Sequence, residues 1–333
     1  MEFLDEYIDL CKMFGALTEW IQGPGGNFSI KNKNNILIKR SGALVSAVTQ
    51  ENNWILCDIE KIKECILMSN EDAISSMIKG NGKPSIEVFL HCISSKFVLH
   101  FHPTPLLGLL CSNLINNYSK LGTYSCKIIE YYKPGLELAK HINNTSYDIY
   151  FLKNHGVIIH GDTIEEIINK MKVISSNLFP KSIQYSDIDT IYTMYTTIKE
   201  LTSKYYIIKP FYNISTLNIS QITVFNPYTP DIVVFLQSKP LHIADINIGD
   251  TNIKNSITKY YTDEHNIPSV IILNSVYYTI GLTHEQCISI NEILISYIDI
   301  SNSVCNITHL STSDVNSLIN WDKEKERKQL STI

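Results

Sequence analysis

The sequence predicts an α/β protein in two domains, residues 1–205 and 206–333. Three observations point there. Short β-prone runs alternate with segments of helical period along the whole chain. The pattern weakens between about residues 181 and 223, where a Lys209-Pro210 break falls. Finally, 333 residues, 44% hydrophobic and 18% charged, describe a globular chain able to bury a full core yet longer than the usual single domain.

The elements follow in order. Phe3, Leu4, Ile8, Leu10, Cys11, Phe14 and Leu17 recur at near-helical spacing, which predicts an amphipathic opening helix over residues 3–20. The cluster Gly23-Pro24-Gly25-Gly26 stops it. Residues 27–31 and 35–39 read as strands around a turn at 32–34, because Gly and Asn tolerate tight-turn backbone angles. This is a hairpin with a glycine-rich mouth. Pro84 and the run 85–91 predict a helix with Ser85 capping its first turn. Residues 97–102 form a β-prone run ended by Pro103, and 147–152 and 157–160 are two further strands. Residues 163–173 return to helical period, with Ile164, Ile167, Ile168 and Met171 on one side. After a helix at 188–201, the second domain carries strands at 232–236, 270–273 and 277–280 and helices at 252–265 and 285–298, a small α/β unit. The charge-alternating tail, 322–328, reads as a solvated helix end or frayed terminus.

Composition narrows the function. A net charge of −5 without a Lys/Arg stripe before the last dozen residues argues against nucleic acid and anionic membrane as partners, and for a small molecule. The acidic start Met-Glu-Phe-Leu-Asp-Glu is not a signal peptide, and no apolar run approaches the ~20 residues of a membrane span, so a cytoplasmic location is expected. Eight scattered cysteines without a C-x-x-C pair read as reduced and mostly buried.

The chemistry centres on histidines. His100 and His102 lie two apart in a strand-like run, so both imidazoles project from one face, as two ligands of one metal require. Asn154-His155-Gly156 supplies a third at the mouth of the next strand, where Gly156 permits close backbone approach. Three histidines leave an open position on zinc, the pattern of catalytic sites. On its own, His-x-His more often marks core histidines that merely hydrogen-bond; the accompanying motifs reverse that weighting. Glu87, among apolar neighbours on the element before the metal strand, is the candidate general acid/base, since an idle carboxylate is costly to bury there. His91, one helical turn on, is a hydrogen-bond partner in preference to a rival ligand. Asn27 and Ser29 in the glycine mouth, Ser41-Gly42 and Ser85 offer amides, hydroxyls and backbone N–H groups that suit phosphate, though such residues are also ordinary in turns. Lys39 and Arg40 add positive charge.

Taken together, Gln22-Gly23-Pro24-Gly25-Gly26-Asn27-Phe28-Ser29, Ile38-Lys39-Arg40-Ser41-Gly42, Pro84-Ser85-Ile86-Glu87, His100-Phe101-His102-Pro103 and Asn154-His155-Gly156-Val157 resemble, in order and spacing, the class II aldolase/adducin family over about residues 5–180. The resemblance implies a three-layer α/β/α domain around a largely antiparallel sheet, and a homo-oligomer, usually a tetramer. It maps His100, His102 and His155 onto the ligands of Zn2+ or another divalent metal, Glu87 onto the catalytic carboxylate, and Asn27, Ser41, Gly42 and Ser85 onto the phosphate pocket of the sugar-phosphate aldolases. Ile86 stands where many members carry a second serine, which bears on the phosphate pocket more than on the metal. The implied reaction is aldol cleavage or formation in a phosphorylated ketose through a metal-stabilised enediolate. Epimerases and dehydratases of the family use the same logic, and adducin-like heads are noncatalytic. A tyrosine is implied for a second proton transfer, with Tyr131 and Tyr132 the candidates. Tyr228-Thr229-Pro230-Asp231-Ile232-Val233-Val234 and Ile280-Gly281-Leu282-Thr283 resemble the segment linking aldolase and dehydrogenase halves in bifunctional members. Without a G-x-G-x-x-G, no nicotinamide cofactor is expected.

Overall fold

A computed structural model describes residues 2–70, 75–79, 82–142, 147–181, 185–212, 225–237, 239–243, 250–273, 276–303 and 306–321. The tail at 322–328 lies outside them. The chain divides into two compact units, Met1–Ile188 and Asp189–Ile333.

The first unit opens with α1 (Glu2–Phe14), whose Tyr7, Ile8, Leu10, Cys11 and Phe14 are buried. The helix is shorter than its apolar pattern, because the chain turns at Gly15, where a Cβ would sit 2.4 Å from the Cys11 carbonyl. The hairpin β1 (Asn27–Lys31) and β2 (Asn35–Lys39) is followed by β3 (Trp54–Asp58) and α2 (Ile59–Met68). Asp58 caps α2 by accepting from the backbone N–H of Glu60 and Lys61. Next come β4 (Phe97–Phe101), α3 (Thr104–Leu110), β5 (Lys120–Leu121), β6 (Tyr124–Ile129), α4 (Leu136–Ile142), β7 (Ile149–Leu152), β8 (Gly156–Gly161) and α5 (Ile164–Leu178), which Thr163 caps.

Their sheet runs β3-β2-β1-β4-β8-β7-β6-β5. The β6–β7 pair is parallel and the other pairs are antiparallel. One face carries Ile36, Ile38, Val98, Tyr150 and Ile158 against residues of α2 and α4 and of a short 3-10 turn, Val88–Cys92. On the other, Phe28 and Phe101 stack edge-on at 4.9 Å, and Trp20, from the segment after α1, packs on Phe101 and on Phe179, which follows α5. Directly opposed residues share a face, so the register Asn27↔His100 and Ser29↔Val98 puts these four on the α2/α4 side.

Residues 84–91 are not the expected helix. Arg40 pairs with Pro84 and the Ser85 N–H donates to the Lys39 carbonyl, so this backbone is held as an extension of the sheet and only the Val88–Cys92 turn is helical. Ser85 still receives the Glu87 N–H on its Oγ at 3.3 Å.

The second unit comprises α6 (Ile188–Thr202), β9 (Ile207–Phe211), β10 (Leu241–Ile243), α7 (Asp250–Glu264), β11 (Val270–Leu273), β12 (Val276–Gly281), α8 (His284–Ser303) and α9 (Thr312–Asn320). Its sheet order is β10-β11-β12-β9. Lys209-Pro210 is not a break: Pro210 pairs with Tyr278 in β9, an edge strand, where a missing N–H is tolerated. Residues 232–236 are not a strand either but a π-helical turn, Ile232–Leu236, whose Ile232 and Leu236 pack on Ile290, Leu294 and Ile298 of α8. No helix among the described residues is long and apolar enough to cross a membrane.

Candidate metal centre

β4 delivers His100 at its end and His102 just beyond, while the turn into β8 delivers His155. That turn is set by Asn154, which adopts a left-handed φ of 56°, and by the Asn154 N–H donating to the Leu110 carbonyl. Two glycines let the backbone close in. Gly156 lies so near β4 that a Cβ would meet the Phe101 carbonyl at 2.2 Å and the His102 ring at 2.8 Å. Gly26, at φ 59°, lies against the His100 carbonyl, where a Cβ would sit at 2.7 Å.

The three Nε2 atoms converge. His102 Nε2 is 3.0 Å and His155 Nε2 3.3 Å from His100 Nε2. Glu87 joins them, Oε1 3.0 Å from His155 Nε2 and Oε2 3.5 Å from His100 Nε2. All four ligating atoms lie within 4.8 Å of one another. Tetrahedral zinc with Zn–N bonds of about 2.0–2.1 Å separates its nitrogens by about 3.3 Å, the spacing found between His100 and His155. His100 donates from Nδ1 to the Val157 carbonyl at 3.1 Å, which leaves its Nε2 lone pair aimed at the others. Three facing imidazole nitrogens cannot satisfy one another as neutral acceptors, whereas one cation satisfies all of them. The donor set therefore fits a divalent metal.

Electrostatics agree. Burial pushes His100 down to about 3, helped by its two imidazole neighbours and opposed by Glu87. His102 is lowered too, by burial first and then by His155. Burial would raise Glu87, but the neighbouring His100 and His155 and the Asn27 hydrogen bond outweigh it and hold the carboxyl below the usual range. The lowering of His100 and His102 favours their neutral, ligating form, which a cation needs.

Glu87 is buried at the start of the Val88–Cys92 turn, and Asn27 Nδ2 donates to its Oε2 at 2.7 Å and to Ser85 Oγ at 3.1 Å. With that amide committed, Asn27 Oδ1 faces His91, whose Nε2 donates to it while Nδ1 accepts from Ser29 Oγ at 2.7 Å. His91 is thus a fully buried partner holding Asn27. Ser41 and Gly42 are exposed, and the Ser41 N–H donates to the Lys83 carbonyl beside Ser85. Arg40 is exposed too. Lys39, read from sequence only as added charge, is 2% exposed and donates to the carbonyls of Pro24 and Ala43 at 2.6 and 2.7 Å, bracing the glycine mouth against the loop after β2. Tyr131 is exposed, and Tyr132 stacks on His141 at 3.7 Å.

One sheet thus brings three histidines and a carboxylate to one point, a set of side chains that could hold a metal ion. The chain matches the Class II Aldolase and Adducin N-terminal domain over residues 5–177, just over half its length, and it belongs to that family. An L-fuculose phosphate aldolase of Methanococcus maripaludis is 26% identical over 182 residues, covering 51% of this chain and 91% of that protein. Another, from Methanocaldococcus jannaschii, is 25% identical over 184 residues, with 51% and 90% covered. Among solved structures, the N-terminal class II aldolase domain of a Thermoplasma acidophilum protein is 23% identical, covering 52% of this chain and 90% of that one, with a TM-score of 0.47. L-fuculose-1-phosphate aldolase from Thermus thermophilus is 16% identical with a TM-score of 0.38, covering 52% and 90%.

Proposed function

We propose that the chain is a zinc-dependent class II aldolase that makes or breaks a carbon–carbon bond in a phosphorylated ketose. The observation that carries this reading is the convergence of His100, His102 and His155 Nε2 with an ionised, hydrogen-bonded Glu87. The three imidazoles would hold the cation, and an imidazole set suits zinc. When bound, the metal supplies Lewis-acid stabilisation of negative charge developing on a substrate oxygen.

The chain's own groups do the rest. Glu87, kept anionic, takes or returns the proton at the carbon that gains or loses the bond. Asn27 and Ser85 fix the carboxylate's orientation, so the proton transfer starts from one geometry. Asn27, Ser41, Gly42 and Ser85 together form the phosphate pocket of this reading, with the two serine hydroxyls and the Gly42 N–H as its donors and Asn27, its amide committed to Glu87 and Ser85, holding Ser85 in place. The names of the archaeal relatives support a phosphorylated sugar as substrate. A noncatalytic adducin-like role is disfavoured by the complete donor set. The reading also carries a cytoplasmic homo-oligomer.

Metal analysis of the purified protein and a screen of ketose phosphates for aldehyde release, with and without chelator, test it. Stoichiometric metal is expected, lost in His100→Ala/His102→Ala. Glu87→Gln is expected to cut turnover by about 10²–10⁴-fold. Undiminished turnover in Glu87→Gln refutes the catalytic assignment, and metal-free active protein refutes the metal.

A further inference from the structure

β1 leads from the metal centre to a second concave region. At its far end Lys31, Lys33, Lys63 and Lys96, with Cys92 and Asp162, line an open cavity of about 480 Å³ between the β1–β2 turn, α2 and the start of β4. Asn27 and Lys31 stand four residues apart on one strand, so the two sites are about 13 Å from each other.

The cations are not equivalent. Lys63 pairs with Glu60 and Lys96 with Glu6, each at 2.8 Å, whereas Lys31 and Lys33 form no ion pair among the described residues. Lys33 is exposed. Lys31 is 9% exposed, and its Nζ donates to the His91 carbonyl at 3.0 Å. An ammonium carries three donors, and burying one is costly; Asp162 offsets that cost for Lys31 only in part and without a close ion pair. Burial holds the Cys92 thiol up at about 12, so it adds no negative charge. Asp162 is the lining carboxylate, exposed, with Oδ1 already accepting the Lys96 N–H at 2.8 Å.

We infer that this cavity binds a phosphoryl-type oxyanion. Several acceptor oxygens on one compact dianion offer partners to more than one of the lining lysines at a time, more than a single carboxylate offers. The cavity is of small-ligand size, with room for free phosphate or for a phosphoryl group on a small organic remainder. The inference does not depend on the reaction proposed for the metal centre.

Calorimetric titration of the full chain with inorganic phosphate, and separately with glycerol phosphate, tests it at constant ionic strength against chloride. Saturable phosphate binding is expected. Lys33→Ala/Lys63→Ala, at exposed positions, should weaken it about tenfold or more. Lys31→Met should abolish it, and Asp162→Asn should tighten it about two- to fivefold. Tighter glycerol phosphate binding that still needs Lys33 and Lys63 assigns an organic ester, and equal or weaker binding assigns free phosphate. Absence of saturation, or binding indifferent to the lysine substitutions, overturns the inference. Binding lost only in Ser41→Ala/Ser85→Ala also overturns it, and leaves the substrate pocket proposed above standing.

Discussion

Gly156→Ala tests the metal centre without touching a ligand. The added methyl would lie 2.2 Å from the Phe101 carbonyl, 2.8 Å from His102 Cδ2 and 3.1 Å from His100 Cε1. A backbone oxygen cannot rotate aside, and it is fixed by the β4–β8 ladder, in which Phe101 pairs with Val157. Restoring ordinary contact therefore requires about 1 Å of relative movement between the strands, with a stability loss of about 1–3 kcal/mol. His100 and His102 lie on one side of that gap and His155 on the other, so the movement opens the ligand set itself. A disturbance of that size at the ligand support should weaken metal binding about 10–100-fold. The assay is chelator competition on the folded variant, with a thermal melt of the metal-free form beside it. Gly108→Ala is the control, because nothing lies within 4 Å of the added Cβ there. A folded Gly156→Ala protein with unchanged metal affinity would refute the close-approach argument.

Two further outcomes are expected. Stripping the metal by chelation should lower the melting temperature, since a ligand at 100–1,000 times its Kd adds about 2.7–4.1 kcal/mol; differential scanning calorimetry with and without chelator reads this, and His100→Ala/His102→Ala should abolish the difference. Stability should also depend on pH through Lys31, which burial lowers to about 7 from 10.5. Between these values the unfolded chain binds the extra proton, so stability rises with pH above 7, at up to about 1.4 kcal/mol per unit, and is flat in this group below it. Denaturant unfolding from pH 6 to 8.5 should show that slope in the native chain and its loss in Lys31→Met; identical profiles would contradict it.

Much of this was legible locally. The hairpin β1–β2 followed from glycine and asparagine at its turns, and β11 from an unbroken Val-Ile-Ile-Leu run between turn residues. Where a short apolar run is ambiguous, the reading failed. Ile232–Leu236 has the composition of a strand, yet Pro230 and Asp231 start a helical turn, and the Thr229 hydroxyl accepting the Ile232 N–H was the available signal. α2 passed unnoticed although Asp58 before Ile59, Ile62, Cys65 and Ile66 is a capped amphipathic pattern. In the site, His100 and His102 share a face by strand period alone. Their meeting with His155 and Glu87 depends on strand order, which no local pattern encodes. Lys39 was missed for another reason: a lysine at a strand end looks solvated until the two loops that cover it are in place.

The pairing of β4 with β8 has a consequence for assembly. His100 and His155 are 55 positions apart and face each other only after that ladder has zipped. An incomplete chain offers a cation little more than the His100–His102 pair, too few donors to compete with a finished pocket, and closing so long a loop costs entropy that must be met by strand pairing first. On the proposed reading, metal capture would be a late event in the life of this chain, a lock turned on a completed sheet, and its onset would report when the central strands have come together.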